Sequence, residues 1–549
     1  MRPAPKASIA RSLTAVLAAL ILTACTKIGT SSEAGGRHPY THPHELRFAS
    51  ASDIESLNPL VSATGVEMYL AHLCMAYLIK SDAHGDPTVP ELVTEVPSQS
   101  NGGISQDGKT IIWHLRHGVK WSDGAPFDAD DVVFSTKQVL NPANNAASLD
   151  GWDLITKIDE PDEYTVVYRL KKPYSSFAVT FFSTGDANPA VMPAHLLRGL
   201  PNLNGAPYNS LPVGIGPFKY QAWKRGDSVV MVRDPNYFRG RAKLDRIVFK
   251  VIPDRNTTLA QLRTHEIDLW IPITPHFYRQ ALAIPGIVGT SVPSYVFDHI
   301  DFNTSHAVVQ DKLVREALRF ATNRQEIVDK VRDGLYAQTE SPVAIHSPYY
   351  LDLPRVPFDI AKANLLLEGD GWKRGPDGVR AKAGRRLSLT FASTLGAPDN
   401  DIEIELIRGW WSRLGVDLVV KRYQQPQLFA TAANGGIIYG GKFDAVMFGW
   451  GTDSSEDLSN FYACYRFPPD GQNDLRWCDR AATAQVDRAK ESYDPAVRKG
   501  AIDALQRALY DQVPTIILDN RVQTSAYSDD LKNWHTTNSP FDDMMNVDI

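Results

Sequence analysis

DGKTIIWHLRHGVKWSDGAPFDADDVVFS, residues 107–135, is the stretch around which the 549-residue chain is organised. Asp107-Gly108 is a turn dipeptide. Beyond it Thr110, Ile112 and His114 fall on one face and Ile111, Trp113 and Leu115 on the other, the alternation of a strand. Asp123-Gly124 marks a second turn, and Pro126 holds Ala125 in extended geometry. Asp128, Asp130 and Asp131 then precede Val132, Val133 and Phe134, placing carboxylates where a helix N-terminus favours them. Strand, turn and helix start are what local physics draws from this stretch.

The first residues read differently. Arg2, Lys6 and Arg11 come before any acid, and an apolar run over residues 13–22 leads to Leu22-Thr23-Ala24-Cys25. A basic region, a short apolar core and small residues before a cut predict an exported chain whose signal spans 1–24, too short an apolar run to span a membrane. Cys25 at the cut fits a lipobox, so its thiol is the expected lipid attachment point; an ordinary signal peptide with an incidental Cys is the other reading. Residues 25–45 are polar and rich in Gly, Ser and Pro, as a flexible tether is. His38, His42 and His44 in it could hold Ni, Cu or Zn, or simply be solvated.

Loss of residues 1–24 moves the formal charge from −6 to −9. That mild acidity argues against nucleic acid and anionic lipid surfaces as partners. At 43% hydrophobic and 22% charged residues the chain can build ordinary cores, and its length suggests two to four domains. No stretch after the leader reaches the ~18 apolar residues of a membrane span. Cys464 and Cys478 lie in a loop rich in Pro, Gly, Asn and Asp, and an oxidising compartment would bridge them, closing a loop worth about 3 kcal/mol. Cys74, in the apolar LCMAY, reads as a buried free thiol.

Along the chain, strands are expected at 46–50, 164–170, 244–250, 416–420, 443–450 and 515–518. Helices are expected at 65–78, 311–321, 326–333 (ending at Gly334), 359–367 (stopped by Gly369), 401–414 and 497–508. Their alternation predicts an α/β chain. No internal repeat appears. Gly214 and Gly216 form a G-x-G, but Pro217 follows directly and no third Gly opens a helix, so it reads as a turn rather than a nucleotide loop. His195, beside Pro193 with no partner motif, reads as structural. HExxH, CxxC, GxSxG and Walker A patterns are absent.

Residues 107–135 closely resemble the signature region of the peptide/nickel-type extracellular solute-binding proteins of ABC importers, family 5. The pattern continues through GDP at 85–87, LKKP at 170–173, MPAH at 192–195, VGIGPFKY at 213–220, DPNYF at 234–238 and DFN at 301–303. The resemblance implies an α/β, periplasmic-binding-protein-like fold (type II, cluster C), with two lobes, a hinge and a smaller appended lobe. Lobe I would comprise 46–80, 212–300 and 520–549, the appended lobe II 81–211, and lobe III 301–519. It further implies a monomeric binder without cofactor that passes a peptide to importer permease subunits, and it supports the 464–478 disulfide.

The resemblance also points to a site. Trp450-Gly451-Thr452-Asp453 follows an apolar strand, so it lies at the strand's C-terminal end, where open α/β sheets place ligands. In peptide binders of the family the Asp of such a W-x-x-D holds the α-amino group; an ammonium offers three donors and a carboxylate is their natural charge-assisted acceptor. Alternatively Asp453 and Ser454 cap the next helix, with Asp457 completing a capping box. Asn303, at the F-N strand end, is the other expected ligand contact. Family dipeptide binders carry an Arg in the loop equivalent to STLGAPDND, 393–401; none stands here, which favours a longer peptide or another amine-bearing solute such as an opine or a nickel chelate. A receptor-like partner protein without an importer and an enzyme are the remaining classes, the latter without a nucleophile, metal or cofactor motif.

Overall fold

The computed structural model describes residues 37–62, 64–146, 149–184, 188–396, 398–537 and 544–549. The signal, Cys25 and most of the tether lie outside them. Two compact units divide the chain, Met1–Thr41 and His42–Ile549, and all elements below belong to the second.

The signature stretch folds as strand, turn and helix. Thr110–His114 and Thr165–Leu170 pair antiparallel in a three-stranded sheet completed by Ile155–Asp162, with Ile112 opposite Val167. Ile111 and Trp113 are fully buried, and the alternation decides which face enters the core. The helix Ala129–Val139 is capped by Asp128, whose side chain accepts from the Asp130 amide at 3.0 Å. Asp131 points inward instead. It accepts from Trp121 Nε1 at 2.9 Å and from the Ala194 amide at 2.8 Å, and burial pushes its carboxyl up to about 6. His195 stands 2.8 Å from Asp123 at the surface, a structural pair. Trp113, Trp121, Phe127, Trp152, Tyr168 and Phe181 fill a core separate from the others.

Of the remaining strands, some form a small two-stranded and a small three-stranded sheet, and ten share one large sheet. In chain order they are β1 (Glu45–Ser50), β2 (Phe218–Lys224), β3 (Ser228–Arg233), β4 (Arg246–Val251), β5 (Leu269–Trp270), β6 (Ile287–Phe302), β7 (Ser388–Thr394), β8 (Asp417–Tyr423), β9 (Ala445–Gly451) and β10 (Thr515–Ser528). They lie side by side as β8-β7-β9-β6-β10-β5-β1-β4-β3-β2. One half, β5 to β2, packs on the core of Phe48, Leu70, Phe218 and Phe249; the other, β8 to β9, packs on Phe302, Phe391, Trp411 and Met447. β6 and β10 belong to both halves. They pair from Ile287 to Asp301, with register shifts between Pro293 and Phe297 and between Asp298 and His299, and the expected lobe boundaries at 300/301 and 519/520 fall inside them.

Several expectations need correction. The helix from Gly65 ends at Cys74, not 78, because the chain turns extended at Met75 to let Ala76 bridge Val191. The Cys74 carbonyl accepts from the Gly216 amide at 3.0 Å, and a Cβ on Gly214 would come within 1.9 Å of that oxygen. The G-x-G is therefore a close backbone crossing. Cys74 is a buried free thiol, its pKa raised by burial. The strand expected to stop at 518 continues to Ser528, and β6 was not foreseen at its full length. Gly369 is the last residue of the helix Ile360–Gly369, and the left-handed turn falls at Gly371. The helix expected to reach 333 ends at Lys330. The tether expected to run to 45 is already ordered at its end: His44 Nδ1 lies 2.7 Å from Asp548, His42 lies 3.5 Å from Glu45, and Glu45 opens β1. His38 stacks on Tyr40.

Candidate ligand site

The site is built on the end of β9. Trp450 is held by aromatic neighbours, stacked on Phe461 with ring centroids 5.2 Å apart and edge-on to Phe448 and Phe429. Gly451 ends the strand exposed. Thr452 leaves it tied to β6, its amide and hydroxyl both donating to the Tyr295 carbonyl at 2.9 and 3.1 Å. Trp450, Gly451, Thr452 and Asp453 are thus placed together.

Asp453 accepts from the Ser455 amide at 2.7 Å, a local turn bond. No helix starts there. The next one, Ser459–Tyr462, follows Leu458, and Asp457 accepts instead from the Ser459 amide, so the Ser454/Asp457 capping box does not form. Burial holds the Asp453 carboxyl above its ordinary range; the Ser455 bonds and Arg498 pull it down, and the Asp457 carboxylate pushes it up.

Other acids converge on the same place. Glu456 is almost wholly buried in a left-handed backbone conformation (φ 47°), its Oε1 accepting from the Ala344 amide at 3.2 Å. Burial raises its carboxyl to about 8, with the Asp453 carboxylate adding to the rise. Asp86, from the GDP segment, takes a hydrogen bond from Ser454 and is also raised, chiefly by burial and then by Asp82. Tyr295 stands among these groups: burial raises its hydroxyl most, then Asp86, Glu456, Asp453 and Asp82. Its ring lies edge-on to His346, 4.5 Å away. The result is a mouth where several carboxyls gather, and a cation entering it favours their ionised forms.

One flank is neutralised. Asp457 pairs with Lys490 at 2.9 Å, and Lys490 also reaches Asp150, 3.3 Å away in the small three-stranded unit. Arg466 pairs with Asp150 at 2.7 Å, Lys172 with Glu491 at 2.8 Å, and the Tyr493 hydroxyl donates to the Tyr174 carbonyl at 3.0 Å. A Cβ on Gly108 would lie 2.7 Å from the Tyr493 ring, so the Asp107-Gly108 turn fits this contact by lacking a side chain. Cys464 and Cys478 are bonded, their Cα atoms 4.7 Å apart, in the same segment that carries Arg466.

Asn303 is not part of this grouping. It follows Phe302, which pairs with Ala445 at the start of β9, whereas Trp450 pairs with Phe297. Its amide donates to the Gly441 carbonyl at 3.1 Å and its oxygen accepts from the Ser305 hydroxyl at 2.6 Å, so it staples a loop. Asn303 therefore stands apart from the Trp450–Asp453 grouping with which it was expected. Asp86, Tyr295, His346 and Glu456 went unforeseen; only Asp86 left a trace, in the GDP segment of the pattern.

Comparison with known proteins follows the same line. The family described as "Bacterial extracellular solute-binding proteins, family 5 Middle" matches residues 88–472, more than half of the chain. The oligopeptide-binding protein AppA of Bacillus subtilis (strain 168) is 26% identical over 455 residues, covering 81% of this chain and 80% of its own. The structure of AppA from Bacillus subtilis in complex with a nonapeptide superposes with a TM-score of 0.78 at 22% identity, over 91% of this chain and 98% of that one. NikA from Brucella suis in complex with Fe(III)-EDTA gives 0.79 at 22% identity, over 91% and 99%. The fold is thus the type II periplasmic-binding-protein fold, and among the described residues no helix is long and apolar enough to cross a membrane. The chain belongs to the bacterial extracellular solute-binding proteins of family 5, and binding a solute is what its fold and family are for.

Proposed function

We propose that this protein captures a short peptide by its α-amino end at Asp453 and delivers it to an ABC importer. The observation that carries the reading is the acidic mouth: Asp453, Asp86, Asp82 and Glu456 gather around Tyr295, and Arg498 answers Asp453 only in part. A ligand ammonium supplies the missing charge and three donors. The name of the AppA relative, an oligopeptide-binding protein, and its nonapeptide complex agree with a peptide. β6 and β10, shared by both halves of the sheet, are the natural hinge, and closure of the halves would expel water around the ligand. Main-chain bonds to strand edges would give affinity without strict side-chain selection. Export, lipid attachment at Cys25 and a monomeric state complete the reading, with binding and release as the only chemistry.

Native mass spectrometry of the mature protein, purified without refolding, tests it. Co-purified peptides released on denaturation are the expected result, and Asp453→Asn should weaken their binding at least tenfold. A bound metal chelate or opine in their place would keep the fold and replace the ligand. Unchanged peptide affinity in Asp453→Asn would remove the amine assignment.

A further inference from the structure

A basic place lies in the half of the molecule built on β8 to β9, and it shares no residue with β9 or the acidic mouth. The helices Lys312–Phe320 and Ile360–Gly369 pack side by side there and meet the loop at 355–357 and the last turn of the helix Pro495–Gln512. Between these segments is a cavity of about 600 Å³. Lys312, Glu316 and Arg319 line it from the first helix, where spacings of three and four bring side chains onto one face. Lys362 comes from the second helix, Arg355 from the loop, and Tyr510 and Asp511 from the last turn, so four cations face two acids. Lys312, Arg355 and Lys362 are exposed, and among the described residues none of them enters an ion pair. Lys362 lies 4.0 Å from the centre of the Phe320 ring. Arg319 is only 8% exposed. Its Nη1 donates to the Tyr510 carbonyl at 2.6 Å, its guanidinium lies 4.8 Å from the centre of the Tyr510 ring, and its Nε has no hydrogen-bond partner. The Glu340 carboxylate nearby is taken, accepting from Arg324 Nη2 at 2.5 Å and from the Val356 amide at 2.7 Å. A buried guanidinium that spends one of its five N–H donors is far from satisfied. Burial lowers its pKa, Glu340 and Tyr510 oppose that, and Arg324 adds to it.

We propose that this cavity is an anion site, separate from the place that takes the transported solute, and that it holds a phosphate monoester group. A monoester carries close to two charges and three acceptor oxygens, which suits a site with four cations better than the single charge of a carboxylate. Guanidiniums grip phosphate through a planar fork and ammoniums act as point charges, and the cavity has both: Arg319 at its buried side, Arg355, Lys312 and Lys362 at its exposed side. Contacts with Tyr510 and Phe320 place Arg319 and Lys362 before a ligand arrives, so binding loses less side-chain freedom. The chain as a whole is mildly acidic, which weighs against broad attachment to anionic surfaces; a local cavity with a buried guanidinium selects one group instead. A soluble phosphate ester and the phosphate of a lipid headgroup offer the same chemistry, and experiment separates them. The site is independent of the amine reading of Asp453.

The test uses the mature protein, with glycerol phosphate in calorimetry and with phosphatidylcholine vesicles, with and without phosphatidic acid, in flotation. Arg355→Gln combined with Lys362→Gln, both at exposed positions, should weaken phosphate binding at least tenfold and leave the transported solute bound as before. Lys373→Gln combined with Lys421→Gln removes the same charge at exposed positions that do not line the cavity, and should change nothing. Glycerol phosphate binding with this pattern assigns the site to a soluble ester; vesicle binding that needs phosphatidic acid, with the same pattern, assigns it to a headgroup. Binding of neither probe, binding untouched by the Arg355/Lys362 pair, or equal weakening by both pairs, which would mean diffuse charge attraction, overturns the site. Each of those results leaves solute capture at Asp453 standing.

Discussion

Two charged clusters stand at either end of the five residues from Gly449, on β9, to Asp453, just past its end, and they solve opposite problems. At Gly449 the charges are answered within the protein: Arg332 sits among Asp298 at 3.2 Å, Glu403 at 2.5 Å and Asp519 at 3.2 Å, and Arg521 closes on Asp298 from the other side. At Asp453 they are answered only in part: burial holds the Asp453, Glu456 and Asp86 carboxyls above their ordinary range, with Arg498 drawing Asp453 and His84 drawing Asp86 part of the way back. A network that is complete holds β6 and β10 in one geometry; one that is incomplete is where the proposed ligand amine would act. A buried charge is costly unless paired, so the unpaired cluster is the one that points to function.

The comparison breaks hardest at Arg332, the guanidinium at the centre of the completed network. Arg332→Met leaves three carboxylates buried with Arg521 alone to answer them, and the loss expected is about 3–5 kcal/mol of stability, read by urea unfolding. A loss below about 1 kcal/mol would mean that the network is solvated and the contrast between the two clusters is false. Next comes Gly449→Ala. The added methyl forces the Arg521 guanidinium aside, at a cost of about 1–3 kcal/mol typical of overpacking. A fully stable Gly449→Ala would show that Arg521 does not lie over the strand.

The contrast also divides what the sequence could tell. The three-stranded unit was legible because its information is local: Asp128 caps its own helix, and Ile111 and Trp113 alternate into one core. The W-G-T-D end of β9 was legible for a similar reason, a strand followed by a turn. β6 and β10 were not. Pro293, Ser294, Asp298, His299 and Asp301 interrupt the apolar alternation of β6, and Asp519, Asn520 and Arg521 do so in β10. These polar residues are paired with one another across more than 200 positions, as Arg521 is with Asp298, and no periodicity announces such a partner. For Asn303 the place in a motif was readable, but its bond to the Gly441 carbonyl was not. Glu456 was invisible because a carboxylate in a polar stretch reads as solvated until the fold buries it.

Glu456 gives the finest test of the contrast. Its carboxyl is raised to about 8 in the folded protein, first by burial and then by Asp453, against an ordinary value of about 4.5. Between those values the folded state holds a proton that the unfolded chain has lost. Its contribution to stability is therefore fully present below about pH 4.5 and is lost progressively as pH rises to about 8. Glu456→Gln keeps the shape and removes the titration. Unfolding measured from pH 5 to 8.5 should show the wild type losing about 1–2 kcal/mol more than Glu456→Gln over that range, with the two closest at the acid end. The same slope should shrink when a saturating amine-bearing peptide is present, because an ammonium among Asp453, Asp86 and Glu456 favours the ionised form. Parallel pH profiles for wild type and Glu456→Gln would mean that Glu456 is answered by its neighbours as fully as Asp298 is, and the mouth would then be no more in need of a cation than the network behind it.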